Sequence, residues 1–309
     1  MAIAVAATLE QERASVSRVV NILHVETNLG LRPGGVERLG AALLGLGLAE
    51  RVSATSVDTL RAAPFVETRD PAYGTRNLQA IAQLAVDQAD RIGQIVDSGA
   101  FPLVLGGDDS VLLGCLLALR RCGSPGPVFI DGHTDFWDLP NALVGEFSES
   151  DLWVATGHGP EVVADLEGRR PLVDSRACVV YGHRDRQEQL EERSEDVYRE
   201  PMLVRGLGEL RAAGMRDAGN HAVGFLAAAQ IDGAWLHIDA DCLDDALMPA
   251  VDWRTAGGLT EDELVELARI VLGSGLVLGM DVTIYNPGLD SDDLAAGRVL
   301  AGAIEQILR

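Results

Sequence analysis

Short runs of branched apolar residues alternate along the chain with longer stretches whose apolar positions recur every three or four residues. That is the pattern of a parallel sheet covered by helices on both faces. The runs predict strands over Arg18–Val25, Pro102–Leu105, Pro127–Asp131, Leu152–Ala155, Ala177–Tyr181, Ala234–Asp239 and Leu276–Asp281. Between them Leu78, Ile81, Leu84, Ala85, Ala89, Ile92, Ile95 and Val96 trace one face of a long amphipathic helix. Ser110–Arg121 predicts a second helix, almost wholly apolar and so buried. Thr260 and Glu263 form a capping box ahead of Leu264, Leu267, Ala268 and Val271. Asp290, Asp292 and Asp293 supply the acids that favour a helix start near the C-terminus. The charged segment Gln187–Glu200 reads as a solvated helix face or loop. No repeat or linker interrupts the pattern, so residues 1–309 read as a single α/β domain, with residues 1–17 an extension open to flexibility.

With 47% apolar and 23% charged residues, the composition has ample material for a core. The net charge of −22 changes the functional picture, and every basic residue is arginine. So acidic a surface, with no local basic block, repels phosphate backbones and anionic lipid, which argues against nucleic-acid and membrane roles. Met1–Leu9 has no basic residue ahead of its apolar stretch, and no apolar run is long enough to span a bilayer. Cys115, Cys122, Cys178 and Cys242 lack CxxC spacing and read as reduced thiols, so the expected setting is the cytoplasm.

The candidate chemistry lies where three predicted strands end, the place at which an open α/β sheet holds its ligands. Pro102–Leu105 runs into Gly106-Gly107-Asp108-Asp109-Ser110, with Asp109 just before a helix. The second strand leads into Asp131-Gly132-His133-Thr134-Asp135, where two-residue spacing turns Asp131, His133 and Asp135 to one side. The third carries His237, Asp239 and Asp241 at the same spacing. One such cluster alone is more often a turn or a cap. Three at one sheet edge would repel strongly unless cations compensate them, and oxygen-rich donors with one or two imidazoles suit Mn²⁺ ahead of zinc. Asp131 and Asp239 are the best placed to bridge two ions.

These segments resemble the ureohydrolases, the family of arginase, agmatinase and formimidoylglutamase, from about Gly30 to the C-terminus. Gly106-Gly107-Asp108-Asp109-Ser110 resembles Gly-Gly-Asp-His-Ser, and Asp131-Gly132-His133-Thr134-Asp135 is similar to Asp-Ala-His-x-Asp. Asp239-Ala240-Asp241-Cys242-Leu243-Asp244 matches Asp-x-Asp-x-x-Asp, and Gly257-Gly258-Leu259-Thr260 resembles the family's Gly-Gly-Leu-Thr. Tyr181-Gly182-His183-Arg184-Asp185 is like the strand end that approaches substrate. The resemblance implies a three-layer α-β-α sandwich with a mostly parallel sheet, two Mn²⁺ ions, metal-hydroxide attack on a small C–N substrate, and a homo-oligomer, trimer or hexamer. It implies that Asp109 and Asp135 complete one ion and His133 and Asp241 the other, with Asp131 and Asp239 shared. Asp135 would also orient the hydroxide, and Arg184 and Asp185 would contact substrate.

The departures bear on substrate and rate. Asp109 stands in place of the family's first histidine, so five carboxylates bring −5 against +4 from two divalent ions. Weaker Lewis acids and a need for higher pH are the expectation. Ile284 stands where the family segment Asp-x-x-Glu-x-Asn-Pro has its guanidinium-binding glutamate, which makes arginine itself a poor substrate. The loop after Asp138 lacks the family's His-Gly, and Glu146 is a candidate proton carrier in its stead. His237 is the other candidate acid/base. The alternatives are a non-catalytic protein of the same fold with a binding or assembly role, and a Mg²⁺ phosphohydrolase, which the lack of lysine and of a phosphate cradle disfavours.

Overall fold

In a computed structural model, which describes residues 18–32, 34–139, 144–192 and 194–309, eight parallel strands form one sheet in the order β2-β1-β3-β8-β7-β4-β5-β6. They are β1 (Val20–Glu26), β2 (Ser56–Arg61), β3 (Phe101–Leu105), β4 (Pro125–Ile130), β5 (Val179–Tyr181), β6 (Leu203–Arg205), β7 (Gly233–Asp239) and β8 (Val277–Thr283). Alternate residues of each central strand enter different cores, as the two-residue period of a strand requires. Ile22, Leu103, Leu105, Val128, Ile130, Leu236 and Ile238 meet the helices Leu39–Gly45, Met215–Ala228, Glu261–Gly273 and Ala295–Leu308. Leu23, Val25, Val104, Phe129, Val180 and Trp235 face the helices Leu78–Asp97 and Val111–Arg120 on the other side. Burial on both faces accounts for the near-continuous apolar runs. The architecture is the three-layer sandwich that the sequence pattern predicts.

Of the predicted strands only Leu152–Ala155 fails: Asp151–Ala155 is a helix with every residue buried. Four consecutive apolar residues carry no period with which to tell a buried strand from a buried helical turn. Two edge strands lack the expected apolar runs. β2 is almost wholly exposed and β6 has three half-buried residues, so neither needed an apolar run to form. The capping box is present, Glu263 N–H donating to Thr260 Oγ1 at 3.2 Å. Asp290 accepts from the amides of Ala296 (3.2 Å) and Gly297 (2.9 Å) at the start of the last helix. Residues 1–17 lie outside the described residues. Among the described residues no helix is long and apolar enough to cross a membrane.

Candidate metal centre

Strands β3, β8, β7 and β4 are neighbours, so the segments that follow them open at one place on the sheet edge. The turn after β3 needs its second glycine for space, since a Cβ on Gly107 would run into the Thr27 carbonyl. Fully buried Asp108 locks that turn, accepting from Ser110 N–H at 3.0 Å and Thr27 Oγ1–H at 3.1 Å. Asp109 is thereby presented just before the helix Val111–Arg120.

After β4 and β7, Asp131, His133 and Asp241 bring donor atoms within 4.8 Å of one another. His133 Nδ1 lies 2.9 Å from Asp241 Oδ2 and 3.7 Å from Asp131 Oδ1. Backbone donors aim the carboxylates: His133 N–H donates to Asp131 (2.7 Å), Gly132 N–H to Asp241 (3.0 Å) and Asp241 N–H to Asp239 (2.6 Å). Burial pushes Asp131 up to about 6, with Asp241 adding to the effect. Burial likewise holds Asp109, Asp135 and Asp239 well above the usual carboxylate range, and carboxylate neighbours raise all three further. Burial would raise Asp241 too, but His133 and the Arg184 guanidinium outweigh it and hold it ionised.

Asp109 Oδ1, Asp131 Oδ2 and His133 Nε2 are buried without a hydrogen-bond partner. Unsatisfied anionic oxygens in a desolvated site call for a cation, and one that accepts oxygen and imidazole donors. The residues therefore fit the divalent ions that the sequence implies. Of the expected ligands, Asp131, His133 and Asp241 are the group brought together among the described residues, while Asp109, Asp135 and Asp239 lie near enough to other carboxylates for like charge to raise them.

His237 stands in a row with Phe129 and Asp281, which register opposite it on β4 and β8. Its ring is fully buried and stacked on Phe129 with centroids 4.4 Å apart. Nδ1 meets Asp281 Oδ2 at 2.7 Å, and Trp235 Nε1–H donates to Asp281 Oδ1 at 2.5 Å. Nε2 faces Asp109 Oδ1 across 3.9 Å.

Asp151 is a buried carboxyl beside this group that the sequence reading did not single out. It opens the short helix after the ligand loop, is fully buried, and leaves Oδ2 without a partner. Burial first, then Asp109, raise its carboxyl well above the ordinary range. A signal existed in the lone acid between Ser150 and an apolar run, but treating Leu152–Ala155 as a strand put Asp151 at a strand entrance, away from the ligand edge.

Several expected roles are revised by contacts. Arg184 donates to the carbonyls of Asp241 (2.9 Å), Cys242 (3.4 Å) and Thr255 (3.4 Å), and its own N–H to Gly132 O (2.7 Å). It ties the two ligand loops together, with Nε left without a partner. Asp185 accepts from Thr134 N–H (3.1 Å) and Oγ1–H (3.2 Å), bracing the segment that carries His133 and Asp135. Glu146, the expected proton carrier, pairs with the exposed Arg32 at 2.7 Å. Burial pushes nearby Glu149 up to about 7. Ile284 packs in the apolar core at 6% exposure, with its N–H on the Gly107 carbonyl at 2.8 Å. Its φ of 67° is a strained setting for a branched residue.

If Arg184 acts as this tie, Arg184→Met weakens Mn²⁺ binding by about 10- to 100-fold, as loss of a group that orients ligands does. Calorimetric titration of EDTA-stripped protein measures it. An unchanged affinity would return Arg184 to the substrate.

Fold and donor set together define an α/β protein with a buried carboxylate–imidazole cluster able to hold a metal ion. The Arginase family model matches residues 35–308. The chain is 25% identical over 298 residues to the arginase of Bacillus subtilis (strain 168), covering 95% of this chain and 98% of that one. The solved arginase of Bacillus caldovelox superposes with a TM-score of 0.82 at 23% identity, covering 94% and 98% of the two chains. Proclavaminate amidino hydrolase from Streptomyces clavuligerus gives 0.67 at 18% identity, covering 94% and 90%. The chain belongs to the arginase family. It is accordingly a metal-dependent hydrolase acting on non-peptide C–N bonds.

Proposed function

We propose that this chain uses two Mn²⁺ ions to hydrolyse a C–N bond in a small amidine-, guanidine- or amide-like molecule other than arginine. The observation that supports it is the convergence of three strand ends on one buried edge, with carboxylate and imidazole atoms left unpartnered. Asp131 and Asp239 would be shared, Asp109 and Asp135 would complete one ion, and His133 and Asp241 the other. When bound, the ions supply Lewis-acid activation of water and of the substrate. The chain's own work is to aim and to exclude. Asp135 accepts a hydrogen bond from the attacking water and orients it. Arg184 and Asp185 hold the ligand loops, and Ile284 offers a cationic group no counter-charge. Water adds across the C–N bond and the amine departs with the proton. Four free cysteines accord with a cytoplasmic setting, and the family resemblance supports a trimer or hexamer.

Leaving a guanidinium unpaired in a desolvated pocket costs roughly 3 kcal/mol, or about 100-fold in rate. Amine or urea release by Mn²⁺-loaded protein, measured across the cationic arginine, agmatine and amidines and across neutral ureides, is the test. Arginine and agmatine turn over about 100-fold more slowly than the best neutral compound; either of them leading the panel would overturn the substrate assignment.

A further inference from the structure

We propose that His237 is itself a metal ligand, donating Nε2 to the ion that Asp109 holds; this rests on the two-ion reading above. The imidazole enters from β7, two residues before Asp239, whereas His133 follows β4. Each ion thus receives one nitrogen donor, from different strands.

The tautomer follows from the neighbours. Asp281 has only oxygens to offer, one already taking the Trp235 N–H, so the 2.7 Å contact at Nδ1 requires the proton there. With an ion bound the lone pair would be on Nε2, the carboxylate–histidine–metal arrangement that fixes a ligating ring and raises its basicity. Stacking on Phe129 at an interplanar angle of 18° holds the ring plane. Nε2 has no hydrogen-bond partner, and neither has Asp109 Oδ1 opposite it at 3.9 Å. Two donors each about 2.1 Å from one ion stand roughly 3–4.2 Å apart, so this gap matches a shared ion and is too long for a hydrogen bond. A neutral donor also answers the charge at this position, where Asp109, Asp135 and Asp151 already crowd. Full burial argues against the alternative role of proton carrier, which needs a path to solvent.

EDTA-stripped wild type, His237→Ser and Asp109→His/His237→Ser are titrated with Mn²⁺, and bound metal per chain is measured after gel filtration. Wild type holds two ions. His237→Ser keeps the ion at Asp131, His133 and Asp241 but binds the second at least about 100-fold more weakly. The double variant regains it, because an imidazole is returned from the β3 side. Pulsed EPR on ¹⁵N-histidine-labelled protein adds a readout independent of affinity: two coupled imidazoles fall to one in His237→Ser. If the serine variant does not fold, His237→Gln, which can still bond Asp281, carries the same expectation. His237→Ser holding two ions at wild-type affinity overturns the proposal, and would leave His237 as an ion-pair partner of Asp109. A wild type that never takes a second ion overturns the two-ion reading and this proposal together.

Discussion

Asp239→Ala is expected to leave the protein unable to retain either ion, with Mn²⁺ falling from two per chain to nearly none and turnover dropping by about 10³-fold or more. The size of the effect comes from position. Asp239 ends β7, between the β8 and β4 strand ends, and is the carboxylate best placed to serve both ions. Its Oδ1 also accepts the Asp241 N–H at 2.6 Å, so truncation frees the turn that aims a second ligand. Elemental analysis after gel filtration reads the metal, and circular dichroism reports the fold. The same substitution should stabilise the EDTA-stripped protein above wild type at pH 8, because a buried carboxyl held well above its usual range is removed from among like charges. Loss of metal with a gain in metal-free stability separates a ligand from a structural aspartate, which would lose both. Two ions retained would show that Asp239 is not shared.

The strand-end clusters were legible because an open α/β sheet holds its ligands where its strands end; the two-residue spacing expected to align them applies only to His237 and Asp239, since Asp131, His133 and Asp135 follow β4 and Asp241 lies in a 3-10 turn after β7. What joins the clusters was not legible. Asp281 lies 44 positions from His237 and meets it only because β8 pairs with β7 in the register that sets the two opposite. A one-residue slip would turn Asp281 to the other face. Arg184 is the converse case: the resemblance implied a substrate contact, and the partners its side chain takes here are backbone carbonyls, which no side-chain pattern encodes. Asp151 was hidden by the helix–strand ambiguity of Leu152–Ala155, and β2 and β6 by the exposure of edge positions.

EDTA-stripped protein should melt at progressively lower temperature as pH rises from 5 to 8, the reverse of ordinary acid denaturation. Asp131 sits at about 6 in the fold against 3.8 unfolded, and Asp109, Asp135, Asp151 and Asp239 are raised well above 3.8. Over this range the folded chain holds protons that the unfolded chain has released, so stability falls with pH. For Asp131 alone the whole loss is about 3 kcal/mol, of which about 1.4 kcal/mol falls between pH 5 and 6, and it is complete once pH passes 6. Glu149, at about 7 from burial, extends the decline. The histidines act in the same direction. Burial works against charge on His133 and His237, but Asp241 and Asp281 outweigh it, raising His133 well above 6.5 and His237 to about 10. Their contribution is full below 6.5 and fades as pH climbs through those folded values. Asp241, held low, opposes this only below about pH 4, outside the window. Mn²⁺ displaces the retained protons, so at 100 times its dissociation constant it should restore about 3 kcal/mol per site at pH 8 and less at pH 5, where protons compete. Thermal unfolding at pH 5, 6.5 and 8 at constant ionic strength, with EDTA and then with Mn²⁺, measures both slopes. A melting temperature that rises with pH in EDTA would mean that the carboxylates are balanced by the protein alone, and the case for two cations at this edge would fall with it.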